Sequence, residues 1–321
     1  MMGVGTDDIT NWVFVTGVIR SGTTFTGKIL SIPLAVDYIH EPFNAHCGME
    51  GIDRRYRYVR PGLDTKEMKR LHALTTDLFE YNFDLQTVHH EEDPWYRSLA
   101  KTVVGSRGPF YLRLAKANPF HTASIIKDPT GSMMANYLYH RFDVQPVVVI
   151  RHPVSLVASF QRLGWWPQSE KLLEQSALVD DYFTNGRLKP SRIDSTLPPH
   201  VEDSCLHWCL VNQVLLDWAD RHDWTVVRHE TLCAHPRSTF KRLYRTLELP
   251  WSRFVDRKVR TLTGGQSAQA DNNQVQDFRR DSASIFETRL QSISKPHRRE
   301  IYEVTKEVAL RVYSESSFRI D

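Results

Sequence analysis

Along the chain, short runs that are apolar at nearly every position give way to stretches in which apolar residues return every three or four, and this change of rhythm predicts the elements. Residues 12–16 (WVFVT), 34–39 (LAVDYI), 122–127 (TASIIK), 145–150 (QPVVVI) and 224–227 (WTVV) are the strand candidates. The run 145–150 is rich in β-branched residues, as expected of a central parallel strand covered on both faces. Helical spacing appears at 25–30, at 63–82 through Leu71, Leu74, Leu78 and Phe79, at 133–140 and after Pro153. It returns at 202–221, where Leu206, Leu210, Val214 and Trp218 fall on one side, and again at 236–247 and 295–313. Strands alternating with helices predict an α/β fold, a central parallel β-sheet flanked by helices. With no internal repeat and no clear linker, residues 1–321 read as a single domain.

Between the first strand and the first helix lies the turn from Gly17 to Thr24 (GVIRSGTT). Its two glycines, Gly17 and Gly22, have the spacing of a Walker A phosphate loop, in which a lysine and then Ser or Thr follow the second glycine. Here Thr23 and Thr24 follow, so the lysine is missing and its charge has moved inside the loop as Arg20. Successive backbone N–H groups at a helix N-terminus bind an anion through aligned donors and the helix dipole. Arg20 adds a forked cation suited to phosphate or sulfate oxygens, and Ser21, Thr23 and Thr24 add hydroxyl donors. The plainer alternative is a glycine turn with a surface arginine.

Three other strand ends carry chemistry. The second candidate strand ends at His40-Glu41-Pro42, and a carboxylate at the carboxyl edge of a parallel sheet stands where ligands bind in such folds. Glu41 is therefore a candidate general base, against the alternative of a solvated residue before a turn. His40 competes, with a side chain expected to point away from that of Glu41 if the pleat continues. The third strand ends at Lys127-Asp128-Pro129; Asp128 reads either as a magnesium ligand of Walker B type or as a helix cap, and Lys127 brings a cation to the same edge. The fourth ends at Arg151-His152-Pro153, before a helix carrying Ser155, Ser159 and Gln161. Arg151 and Ser159 can bracket one anion.

Composition narrows the picture only slightly. With 41% hydrophobic and 25% charged residues the chain is an ordinary globular one, and a formal charge of +3 is too small to argue for nucleic acid. Cys47, Cys205, Cys209 and Cys233 have no paired metal-ligand spacing; Cys205 and Cys209, with His207 between them, read as core. Without a disulfide framework, a signal-peptide run or a segment long enough to cross a bilayer, a cytoplasmic protein is expected. The arginine- and tyrosine-rich stretch 47–61 reads as a solvated loop or lid, and the charged stretch 89–94 as a loop. Residues 164–200, rich in aromatics, hydroxyls and prolines, form either an acceptor-side lid or a surface insertion. Residues 263–281 are polar and glycine-containing, and are expected to be mobile.

Arg20-Ser21-Gly22-Thr23-Thr24-Phe25 resembles the 5′-phosphosulfate loop, and 149–153 (VIRHP) through Ser159 resembles the 3′-phosphate motif, of sulfotransferases that use 3′-phosphoadenosine 5′-phosphosulfate (PAPS). The stretch 227–232 (VRHETL) through Pro236 is similar to the strand and helix that these enzymes place late in a P-loop-like fold. The resemblance implies that Arg20 contacts the transferred sulfonate and its bridging oxygen, that Ser21, Gly22, Thr23 and Thr24 surround the 5′-phosphate, and that Arg151 and Ser159 recognise the 3′-phosphate. Phe25 falls where many members have an adenine-stacking tryptophan. The phenol- and steroid-acting members place a catalytic histidine just after a strand-end lysine, and Lys127-Asp128-Pro129 lacks it. Glu41-Pro42-Phe43 is instead similar to the strand-end carboxylate of bacterial and carbohydrate-acting members.

These implications describe a PAPS-dependent sulfotransferase with Glu41 as base, Arg20 and Lys127 on the transferred group, and no required metal. The expected acceptor is a small molecule, lipid or carbohydrate; its identity and the oligomeric state stay open. The alternatives are a P-loop kinase using ATP and Mg²⁺, and a non-catalytic nucleotide-binding protein. Arg279 and Arg280 are possible contacts of a late basic loop with the 3′-phosphate.

Overall fold

A computed structural model describes residues 9–60, 62, 65–89, 105–184, 196–264 and 282–320. The elements run β1 (Asn11–Thr16), α1 (Thr23–Leu30), β2 (Val36–His40), α2 (Lys66–Phe79), α3 (Arg107–Lys116), β3 (Ala123–Lys127), a 3₁₀ turn (Ser132–Met134), α4 (Ala135–Phe142), β4 (Gln145–Ile150) and α5 (Pro153–Leu163). They continue with α6 (Glu170–Leu173), α7 (Ser176–Tyr182), α8 (Pro199–His222), β5 (Thr225–Arg228), α9 (His229–Ala234), α10 (Pro236–Thr246), α11 (Arg253–Thr263), α12 (Ser282–Gln291), α13 (Lys295–Ala309) and a final 3₁₀ turn (Glu315–Phe318). The five strands make one parallel sheet in the order β2-β3-β1-β4-β5, flanked by helices, as the alternating pattern predicts.

The chain divides into two compact units. The first comprises Met1–Thr16, Thr26–Val147 and Tyr244–Trp251. In it β3 pairs with both β1 and β2 in parallel register, Val15 and His40 each opposite Lys127, so the three strands finish level with one another. Val13, Phe14, Val15, Ile39, Ile125 and Ile126 are sealed from solvent, each contributing roughly 1.5–3 kcal/mol of apolar burial. Trp12 packs edge-on against Phe79 of α2 at 4.7 Å, and Phe79 stacks on Phe142 at 4.4 Å. Thr65 caps α2 by accepting from Met68 N–H.

The second unit comprises Gly17–Phe25, Val148–Leu243 and Ser252–Asp321. Helix α8 is its spine, packed against α5 and α13. Most of its circumference is buried, Cys205, His207, Trp208, Cys209 and Asn212 included, while the partly or fully exposed positions Glu202, Asp203, Leu206, Gln213, Asp217 and Asp220 fall along one side. Of the predicted stripe, Leu210, Val214 and Trp218 are buried and Leu206, on the open side, is half-buried. The reading of Cys205 and Cys209 as core holds, and all four cysteines are free thiols. Helix α5 starts with Pro153 in its first turn and ends at Gly164, whose left-handed φ of 62° stops it.

Among the described residues no helix is long and apolar enough to cross a membrane, and no group of three or more His, Cys, Asp or Glu side chains is placed to hold a metal ion. Most of 89–94 and 263–281, Arg279 and Arg280 included, lies outside the described residues, as does 185–195. Of the 164–200 stretch, the described part forms α6, α7 and the start of α8.

Candidate active site

In the second unit the loop after β1 is fitted closely to its surroundings. Gly17 has φ +145°, and a Cβ there would lie 2.2 Å from the Val149 carbonyl oxygen, so only glycine fits. Gly22, at φ +95°, is equally confined, because a Cβ would meet the His229 ring at 2.2 Å. Between them Arg20 takes a left-handed φ of 69°, unusual for a residue with a side chain. The loop's Ser21 N–H donates to Val18 O at 3.0 Å, and α1 begins two residues later at Thr23. Ser21, Thr23 and Thr24 are buried at this helix start, and Ser21 Oγ has no hydrogen-bond partner among the described residues.

Arg151, at the end of β4, is 3% exposed and closes over this loop. Its Nη1 donates to the Arg20 carbonyl at 2.8 Å and its Nε to Ser155 Oγ at 3.1 Å, while Nη2 is buried and has no partner among the described residues. Burial lowers the Arg151 pKa from its ordinary value. Arg20 is lowered to about 10 by burial and by the nearby charges of Arg151 and Arg162. Its Nε donates to the buried Ser159 Oγ at 3.5 Å, and its guanidinium lies 5.9 Å from the Trp165 ring. His229, against Gly22, is held neutral, well below the usual imidazole value, by burial and by Arg151 and Arg20. Phe25 meets Phe240 edge-on at 5.5 Å.

This is a pocket of converging donors. Three cations stand near the loop, and a buried hydroxyl and a buried guanidinium nitrogen lack acceptors among the described residues. Buried donors of this kind can be satisfied by an anionic group. The structure brings Arg20, Ser21, Gly22, Arg151 and Ser159 into one neighbourhood; Ser159 is paired with Arg20, and Arg151 with the serine one turn earlier, Ser155. His229 and Glu230 adjoin the same strand end; their signal was the late 227–232 stretch, to which the sequence reading assigned no role.

The first unit holds a second cluster, at the ends of β2 and β3. Lys127 is fully buried and its ammonium bonds Glu41 Oε1. Asn44 Nδ2 donates to Oε2 at 2.6 Å, and Cys47 Sγ lies 3.9 Å from the same oxygen. Burial alone would raise the Glu41 carboxyl, but the Lys127 charge and the hydrogen bonds from Lys127 and Asn44 bring it from 4.5 down to about 2. His40 does not point away. Its Nε2 lies 3.9 Å from Glu41 Oε1, because Glu41 adopts a left-handed φ of 51° and the pleat ends before it. His40 Nδ1 is paired with the Tyr38 hydroxyl at 3.0 Å, and burial and Lys127 hold the ring neutral.

Asp128 is wholly buried and tied to backbone. Oδ1 accepts from Thr130 N–H and Oγ1 and from Gly131 N–H at 2.8–3.0 Å, and Oδ2 from Phe43 N–H at 2.7 Å. The carboxylate thus closes the turn 128–131 and fastens the segment after Glu41 to the end of β3; the 3₁₀ turn and the helix that follow, with Gly131 and Met134 at their N-cap positions, have no side-chain cap. Burial and the Glu41 charge push Asp128 up to about 6. In the arginine-rich stretch, Arg57 pairs with Asp53 and Glu67 and Tyr56 N–H bonds Thr130 O.

The fold is a parallel α/β sheet whose first strand leads through a glycine loop without the Walker lysine into a helix. A sequence model of the sulfotransferase family matches residues 13–253, three quarters of the chain, and the protein belongs to that family. Among solved structures, it is similar to the sulfotransferase domain from the curacin biosynthetic pathway, at 15% identity and a TM-score of 0.48, over 94% of this chain and 97% of that one. It is also similar to sulfotransferase STF9 from Mycobacterium avium, at 14% and 0.41 over 89% and 77% of the two chains. Retinol dehydratase in complex with retinol and PAP matches at 16% and 0.42, over 92% and 80%. No curated protein sequence matches the chain.

Proposed function

We propose that the protein transfers a sulfonyl group from PAPS to a hydroxyl or amine of a small-molecule, lipid or carbohydrate acceptor. The observation that carries this reading is Arg151: a buried guanidinium bonded to the phosphate loop through one nitrogen and left with a second, Nη2, for a ligand. Adenosine carrying a 3′-phosphate as well as a 5′-phosphosulfate supplies the two anionic groups, one for Arg151 and one for Ser21 to Thr24.

In the reaction the acceptor oxygen forms a bond to sulfur as the bond from sulfur to the 5′-phosphate oxygen breaks. Charge grows on that leaving oxygen, and Arg20 and the loop N–H groups stabilise it most in the transition state. The acceptor's proton passes to Glu41. With a carboxyl held near 2, Glu41 is a weak base while Lys127 is its partner. Lys127 also assists at the sulfonate oxygens. No step calls for a metal ion, and the cytoplasm, where PAPS is made available to an enzyme with free thiols, is the proposed location.

Calorimetric titration with adenosine 3′,5′-bisphosphate and, separately, with ATP and Mg²⁺ tests the reading. Tighter, metal-independent binding of the bisphosphate is expected, followed by transfer from PAPS in an acceptor screen. Preference for ATP with Mg²⁺ would mean a kinase-like site; bisphosphate binding without turnover on any acceptor class would leave a nucleotide-binding protein.

A further inference from the structure

Glu230, at the start of α9, and Tyr313, in the stretch after α13, take part in none of the steps above, yet both fasten the strand end that carries Arg151. Glu230 Oε1 accepts from the His152 backbone N–H at 3.0 Å. The Tyr313 hydroxyl donates to Glu230 Oε2 at 2.8 Å and lies 3.3 Å from the Ile150 carbonyl oxygen. One carboxylate and one phenol therefore hold the peptide units on both sides of Arg151. From α8, Trp208 Nε1 donates to the Arg151 carbonyl at 2.9 Å and completes the grip. The His152 ring is enclosed by Phe318 at 4.3 Å, Tyr313 at 4.9 Å and Phe286 at 5.4 Å, with Nε2 3.1 Å from Ser317 Oγ.

Charge adds to position. The Arg151 guanidinium is fully buried, and Glu230 is the carboxylate whose field supports its charge. A buried cation without such support would be disfavoured. The backbone, meanwhile, has little freedom to shift: Nη1 is already committed to the Arg20 carbonyl and Nε to Ser155, so a small rotation of the peptide at 151–152 displaces Nη2 as well.

We infer that Glu230 and Tyr313 are positioning residues of the donor site, which fix the Arg151–His152 peptide and so set the preference for a nucleotide bearing a 3′-phosphate. This rests on reading Arg151 as the group that meets that phosphate. The stretch after α13 that carries Tyr313 is then part of the donor site, acting through Arg151. An anchor that merely stabilised the fold would lower the melting temperature and weaken every nucleotide alike; a positioning pair changes the ratio between nucleotides.

The experiment measures Kd by calorimetry for adenosine 3′,5′-bisphosphate and for adenosine 5′-monophosphate in the wild type, Tyr313→Phe, Glu230→Gln, Arg151→Ala and the double variant Tyr313→Phe/Arg151→Ala. Tyr313→Phe removes one oxygen and keeps the ring, so it carries the test if Glu230→Gln fails to fold. In Tyr313→Phe the preference for the bisphosphate is expected to fall about tenfold, with monophosphate affinity nearly unchanged. In the Arg151→Ala background the same change should alter the ratio no further. A wild type that binds both nucleotides equally would overturn the 3′-phosphate reading and the inference with it. A wild type that prefers the bisphosphate, with Tyr313→Phe keeping that preference, would overturn the positioning role alone.

Discussion

Replacing Lys127 by methionine isolates the electrostatics of the pair at the end of β3. Lys127 has no exposed surface, and a Cβ on Gly27 would lie 3.2 Å from its Cβ and Cγ, so a methionine stem occupies the same tight space without adding a polar group. In the wild type the Glu41 carboxyl lies at about 2 instead of 4.5, which corresponds to about 3 kcal/mol of native-state stabilisation at neutral pH. Because this carboxyl is depressed, that contribution is fully present above pH 4.5 and is lost as pH falls through 2. In Lys127→Met the burial of Glu41 and the neighbouring Asp128 remain while the compensating cation is gone, so the carboxyl rises above its ordinary value. Ionised Glu41 then destabilises the variant at neutral pH and is relieved on acidification; Asp128, already pushed up to about 6, moves the same way. The variant should lose about 3–5 kcal/mol at neutral pH, the usual result of stranding one member of a buried pair. Its deficit against the wild type should shrink steadily as the solution is acidified toward the ordinary carboxylate range. Urea denaturation of both proteins across that range measures the gap. A gap that stays constant with pH would show that Lys127 contributes packing alone, and would refute the argument.

Arg151→Ala should weaken adenosine 3′,5′-bisphosphate by roughly ten- to a hundredfold, as expected for a charge-assisted bond, and adenosine 5′-monophosphate far less; equal losses by calorimetry would remove Arg151 from the 3′-phosphate. Glu41→Gln should keep nucleotide affinity and lower turnover by about a hundredfold or more. Turnover like the wild type's would transfer the base role to His40 or Asp128. Gly22→Ala should lower both melting temperature and bisphosphate affinity, since its Cβ would fall 2.2 Å from the His229 ring. Adding His229→Ala should relieve the collision but leave the left-handed backbone strain, about 1–2 kcal/mol; a Gly22→Ala protein that melts like the wild type would contradict the loop geometry.

Much of the fold is legible in local pattern. The runs at 12–16, 34–39, 122–127, 145–150 and 224–227 correspond to β1 to β5 within a residue or two, since a strand buried on both faces must be apolar throughout. Helix α3 had no such signal. Its Gly108 and Pro109 weaken any helical pattern, yet both lie in the first turn, where the missing N–H of Pro109 costs nothing. The orientation of His40 was misread for a related reason. Alternation holds only while the strand continues, and the left-handed turn at Glu41 is enforced by Asp128, which holds Phe43 N–H from 85 positions away.

The sequence by itself determined the alternation of strands and helices and the anion loop from Gly17 to Thr24. Both are local: periodicity and the freedom of glycine act over a few residues. Only the tertiary structure decided which groups meet. Glu41 joins Lys127 across 86 positions, Arg20 joins Ser159 across 139, and Gly22 accepts the His229 ring across its bare backbone. The protonation of those groups followed from the same encounters, because burial and a neighbour's charge move a pKa and neither is a property of the residue alone.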